Sequence, residues 1–249
     1  MGHDREAMDD LAASQLVKAV MSRAPASLGP RRTTSTHEFY RYPARFAPEV
    51  ARAAISAFTE PGEVVLDPFV GGGTTLVESR LAGRVGIGSD VNELATFVAR
   101  IKCTPYRESV LNSVASWATQ VQPNVNLQRE APPRDEWIDD GYLRNVDGSE
   151  FWRLRKFIAV LRQETNVLES KQAKEFLRCA LLRTAQWALD MRSTLPSIPD
   201  FRSAFAKTLD DMVAVARVFS KAVRSADRQS ATICSRRSLI VTGRAQDLP

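Results

Sequence analysis

The chain has 249 residues, enough for one α/β domain with an insert or for two small domains. A hydrophobic content of 44% is that of an ordinary globular protein, and Lys plus Arg (34) against Asp plus Glu (29) gives +5, which permits a nucleic-acid partner without demanding one. No apolar run is long enough to span a bilayer, the first residues lack a signal peptide's apolar core, and two histidines with three scattered cysteines (Cys103, Cys179, Cys234) offer no metal-ligand spacing. The expectation is a cytoplasmic protein with reduced thiols, without membrane or metal.

Residues 1–36 read as an N-terminal amphipathic helix, with Ala12, Ala13, Leu16, Val17, Val20 and Met21 on one face, followed by a Pro/Gly/Arg linker or basic arm. An aromatic stretch follows, His37 to Glu49, with Pro43 and Pro48 stiffening it. A helix is predicted from Pro48 to Phe58, its apolar face made by Val50, Ala54, Ile55 and Phe58.

The chain is organised around residues 64–78. Val64 to Leu66 reads as a buried parallel strand, closed by Asp67. Gly71-Gly72-Gly73 makes a turn without side chains, and Thr74-Thr75 open and cap a helix. Strand, glycine turn and helix N-terminus together suit a nucleotide or nucleoside. Asp67 would repel a pyrophosphate but suits an ammonium group, and no Gly-Lys-Thr/Ser phosphate loop is present. A glycine triplet alone is equally compatible with an ordinary tight turn; Asp-Pro-Phe before it and Thr-Thr after it narrow the reading. A second strand, Val85 to Ser89, ends in Asp90, 23 positions beyond Asp67, where an acid can accept ribose hydroxyls. Capping the next helix, which begins at Asn92, is the plainer role for Asp90 taken singly.

Three stretches together resemble the SAM-binding motifs of amino-directed DNA methyltransferases, the family that methylates cytosine N4 or adenine N6. They are Tyr42-Pro43-Ala44-Arg45-Phe46 with Pro48, Asp67 to Thr75, and Gly88-Ser89-Asp90-Val91-Asn92. Against the usual family forms, Arg45 replaces Lys, Gly72 the middle Ser, Ser89 an apolar residue and Glu93 a Pro. The resemblance covers about residues 37–105. It implies S-adenosyl-L-methionine (SAM) as cofactor and DNA as partner. By the same resemblance, Asp67, Gly71 and Gly73 would hold the methionine end, Pro68 and Phe69 would belong to the cofactor site, and Thr74 and Thr75 would cap the helix beside it. Asp90 would take the ribose and Val91 would pack on the adenine. Tyr42, Pro43, Ala44 and Phe46 would line the methionine side.

From Tyr106 the pattern turns helical. Val110, Leu111, Val114, Trp117, Ala118 and Val121 share one face; 122–150 reads as a long exposed connection. Phe151, Trp152, Leu154, Phe157, Ile158 and Leu161 mark a second helix, and Phe176 to Trp187 a third. Asp200 is expected to cap a fourth, with Phe201, Phe205, Leu209, Met212, Val213, Ala216 and Phe219 inward. Arg153, Arg155, Lys156, Arg217, Lys221 and Arg224 can track a DNA backbone, although solvated helix faces are the commoner use of such residues. Strand character returns at Thr232-Ile233-Cys234 and Ser238 to Val241. Gly243 to Pro249 resembles the family's Gly-Asp-Ala-Arg-Asp-Leu-Pro stretch, with Arg244 where an acid is usual.

The expected architecture is a partial Rossmann-like α/β SAM-methyltransferase sheet with a helical insert: 1–36 helix and linker, 37–105 SAM-binding core, 106–228 insert, 229–249 return strand. The family's Asp/Ser/Asn-Pro-Pro-aromatic motif, which accepts the amine's protons and stacks on a flipped base, is absent; Pro132-Pro133 lies between Ala131 and Arg134. No catalytic residue is therefore assigned. The readings are a SAM-binding portion of a DNA methyltransferase with a separate catalytic subunit, an inactive remnant, or a SAM- or DNA-binding module; an RNA methyltransferase is the less favoured reading. A sheet without its later strands should leave apolar surface open and favour association.

Overall fold

The computed structural model describes residues 35–43, 47–128, 149–190, 194–229 and 238–247. Its main elements in chain order are α1 (Pro48–Phe58), β1 (Val64–Asp67), α2 (Thr74–Leu81), β2 (Val85–Asp90), α3 (Glu93–Cys103), α4 (Glu108–Gln120), α5 (Trp152–Glu164), α6 (Lys171–Asp190), α7 (Ile198–Gln229) and β3 (Leu239–Thr242). They form two compact units. One takes Met1–His37, Tyr42–Pro105 and Phe219–Pro249; the other takes Glu38–Arg41 and Tyr106–Val218.

The first unit carries a parallel sheet of order β1-β2-β3. Register places Asp67 opposite Gly88 and Asp90 opposite Thr242, so both acids stand at the carboxyl ends of adjacent strands. Gly86 and Gly88 let α2 approach β2 closely. A β-carbon at Gly88 would meet Val70 Cγ2 at 2.7 Å and Leu76 Cδ2 at 3.0 Å. Val70, Leu76, Val77, Leu81, Ala99, Cys103, Phe219 and Val223 form the core on that face, and Ile240 packs against them. Arg80 on α2 donates to Asp227 on α7 at 3.0 Å. Side chains alternate across a strand, so Val64, Leu66, Leu239 and Val241 point to the opposite face. They are 54%, 55%, 52% and 38% exposed, respectively. Parallel sheets are ordinarily covered on both faces.

The second unit is helical. Phe39 packs edge-on against Phe176, and Tyr106 does the same at 5.1 Å. On α6, Arg183 donates to the Glu38 carbonyl, while Gln186 both accepts from the Arg41 amide at 3.2 Å and donates to its carbonyl at 2.9 Å. Arg202 on α7 donates to the carbonyls of Gln122 and Val125, and Gln122 Nε2 returns a bond to the Arg202 carbonyl.

The expected partial Rossmann-like α/β fold with helical elements is therefore present, mostly helical with a small parallel sheet. Several local expectations need correction. Thr74 and Thr75 do not cap α2: Gly73 occupies the cap position at φ 83°, with no side-chain hydrogen bond. Asp200 does not cap the fourth helix of the insert either. That helix begins at Ile198, and Ser197 Oγ accepts from the Asp200 amide at 3.2 Å. Residues 122–125 are not an exposed connection, because Gln122 and Val125 are buried and held by Arg202. Trp152 is half exposed, with the Arg153 guanidinium 5.4 Å from its ring. The expected N-terminal helix, Ala44, Phe46 and the strand at 232–234 lie outside the described residues.

Candidate cofactor site

The site is built where β1 and β2 end. Asp67 Oδ1 accepts from the Phe69 amide at 3.1 Å, an Asx turn that turns the chain out of the strand. The Val70 amide donates to the Ser89 carbonyl at 2.8 Å and the Gly73 amide to the Val70 carbonyl at 2.8 Å, tying the turn to β2. Gly71 and Gly73 adopt φ 46° and 83°, left-handed conformations that favour glycine.

Asp90 locks this turn to the second strand. Its Oδ2 accepts from the Gly71 amide at 2.9 Å and its Oδ1 from the Asn92 amide at 2.9 Å. Its own carbonyl accepts from Gly243 at 3.0 Å. A carboxylate has about four acceptor positions, so two backbone bonds leave capacity for hydroxyls. Asp90 is not the cap of α3; Asn92 is, accepting from the Leu94 amide at 2.9 Å.

Tyr42 lies on the turn. A β-carbon at Gly72 would stand 2.8 Å from Tyr42 Cβ, and one at Gly71 would stand 3.6 Å from its ring. Pro43 is exposed beside it, and Pro68 is half buried. Phe69 and Val91 project from the strand ends, 78% and 69% exposed, respectively. Thr74 is buried and Thr75 half buried. With no side chain capping α2, its first N–H groups are left for other partners. The structure thus brings together Tyr42, Asp67, Pro68, Phe69, Gly71, Gly73, Thr74, Thr75, Asp90 and Val91.

Sequence reasoning missed the charges beneath the site. Glu78 on α2 is buried; Arg52 Nε on α1 donates to its Oε2 at 2.8 Å, and His37 Nε2 lies 2.8 Å from its Oε1. Burial works against ionising Glu78, yet the hydrogen bonds and charges of His37 and Arg52 outweigh it and hold its pKa below the ordinary value. Lys102 on α3 is also buried. Cys103 beside it has its thiol pushed up to about 12 by burial, against the charges of Lys102 and Arg80. The only sequence signal was a carboxylate directly after Leu76 and Val77 in the helix that follows the glycine turn. Of the basic residues read as DNA-tracking, Arg217 is engaged by Glu108 at 2.7 Å and by Asn112 at 3.1 Å. Among the described residues no helix is long and apolar enough to cross a membrane, and no cluster of three or more His, Cys, Asp or Glu could hold a metal.

Residues 25–98 match the N6/N4 methyltransferase family, described as DNA methylase. The type II methyltransferase M.MvaI of Kocuria varians is 33% identical over 165 residues, 64% of this chain and 35% of its own length. M.MjaII of Methanocaldococcus jannaschii is 31% identical over 75 residues, covering 30% of this chain and 14% of the relative. M.BamHI of Bacillus amyloliquefaciens is 30% identical over 95 residues, covering 38% and 22%. The chain therefore spans about a third or less of the length of these curated relatives. No solved structure gives a significant match.

Proposed function

We propose that this chain, whose residues 25–98 match the N6/N4 DNA methylase family, is the SAM-binding portion of a site-specific DNA methyltransferase acting on cytosine N4 or adenine N6. The observation that carries this reading is the pair of backbone hydrogen bonds accepted by Asp90, one of which, from Gly71, ties the glycine turn to the end of the second strand. The residues present fit the cofactor. The half-buried Gly71 presents backbone at the turn, Asp67 offers a carboxylate for an ammonium, Asp90 keeps acceptor capacity for a ribose, and Val91 offers an apolar surface for a base. When bound, SAM supplies an electrophilic methyl group. The chain's own part is to orient that donor and keep it fixed beside Tyr42 and Pro43.

The 249 residues contain no Asp/Ser/Asn-Pro-Pro-aromatic tetrapeptide, so this reading places the flipped base on a complementary catalytic subunit or segment. The open aliphatic face of Val64, Leu66, Leu239 and Val241 supports that arrangement, because amphipathic helices of a complementary half would cover it. DNA is the substrate partner. The test has two arms. Calorimetry of this chain with SAM is expected to show binding that Asp67→Ala abolishes; equal affinity in the variant rejects the site. Methyl transfer to DNA is expected only when a complementary half carrying the Pro-Pro motif is added, and transfer by this chain alone rejects the division of labour.

A further inference from the structure

The cofactor site presents two carboxylates, Asp67 and Asp90, whereas the amino-acid end of the donor carries an ammonium and a carboxylate together. Acids alone would attract the first charge and repel the second. A cation beside the turn would resolve the mismatch, and α3 supplies one. Lys102 is only 2% exposed, an unusual burial for a lysine. A β-carbon at Gly72 would lie 3.4 Å from its Nζ and 2.8 Å from Tyr42 Cβ, so the ammonium and Tyr42 flank the same side of the turn. The helix end that carries it is fixed. Thr36 Oγ1 donates to the Lys102 carbonyl at 2.7 Å, and Ala99, three residues earlier, packs against Gly73.

We infer that Lys102 is a specificity-determining residue of the donor site, receiving the α-carboxylate of the donor's amino-acid end while Asp67 takes its ammonium. This rests on the SAM reading of the site. Lys102 lies outside the three motifs that mark the site in the sequence, and only the packing of α3 against the glycine turn brings it there.

The test pairs residue and ligand in a double cycle. Affinities of S-adenosylhomocysteine and its decarboxylated counterpart are measured by calorimetry for the wild-type chain and K102M. Wild type is expected to prefer the carboxylated ligand by about tenfold or more, the range of a charge-assisted pair. K102M should erase most of that preference while binding the decarboxylated ligand as wild type does. An unchanged preference in K102M, or an equal loss for both ligands, overturns the inference. Should K102M fail to fold by circular dichroism, K102Q takes its place in the same cycle, with the same results supporting or overturning the inference. Failure of the wild-type chain to bind S-adenosylhomocysteine at all rejects the SAM reading and this inference together. Wild-type binding with the preference intact in the variant rejects this inference alone.

Discussion

Ala99 lies directly against Gly73: a β-carbon built at Gly73 would stand 2.9 Å from both the α-carbon and the β-carbon of Ala99. The last glycine of the turn is thus fixed twice, by a φ of 83° and by the backbone of α3. Gly73→Ala should cost about 2–4 kcal/mol from strain and overpacking together. Gly243→Ala is the control, since its β-carbon would meet only Val241 Cγ1 at 4.0 Å. Denaturant unfolding of both variants checks this; equal midpoints would contradict it.

Glu78 holds α1 and His37 onto α2. Its folded pKa lies below the ordinary 4.5 despite burial, because His37 and Arg52 favour the charged form. A carboxylate with a depressed folded pKa contributes stability above its unfolded pKa and loses it as pH falls through the folded value. Wild-type stability should therefore decline below about pH 4.5. Glu78→Gln should lose about 3–5 kcal/mol near neutrality, leaving Arg52 buried without its anion, and should flatten that acid slope. Urea titrations from pH 7 to pH 3 measure both.

In the helical unit Arg202 joins three places at once. It bonds the carbonyls of Gln122 and Val125 and lies 5.0 Å from the Phe157 ring centre, and burial lowers its pKa from the usual value. Arg202→Met should cost about 2–4 kcal/mol, because two buried carbonyls lose their donor. Arg202→Lys should recover only part of this, since an ammonium cannot stack and fork together. Tryptophan fluorescence reports this unit selectively, as Trp117, Trp137, Trp152 and Trp187 all lie within 106–218.

Leu66 lies on the edge strand β1, on the open face of the sheet, and is 55% exposed. Leu66→Lys should change folding stability by no more than about 0.5 kcal/mol, as for other surface sites. It should also reduce self-association of the isolated chain in sedimentation velocity. A large loss of stability would mean that the face is covered within this chain.

Residues 64–92 were the most legible part of the molecule in the order of their elements, although the strand expected to be buried leaves Val64 and Leu66 about half exposed. Strand, glycine turn, helix and second strand follow one another without interruption, and each carries its own local signal in apolar runs, glycines and terminal acids. The helical faces at Val110–Trp117 and Phe201–Phe219 were read from periodicity for the same reason. Caps were less legible. Thr74 and Asp200 both have cap chemistry, yet Gly73 and Ser197 hold those positions, because the preceding backbone decides where a helix begins. Residues 122–125 looked like loop because their burial comes from Arg202, 77–80 positions away.

The sequence by itself determined that two acids and a bare turn would end adjacent parallel strands, since contiguous residues encode that order through local propensity. Only the tertiary structure decided that Asp90 would hold Gly71, that Glu78 would neutralise Arg52, and that Lys102 would reach the turn. Those relationships join residues 19 to 30 positions apart through packing of separate elements. A buried charge gives no periodic signature; it is tolerated solely where the folded chain brings its partner.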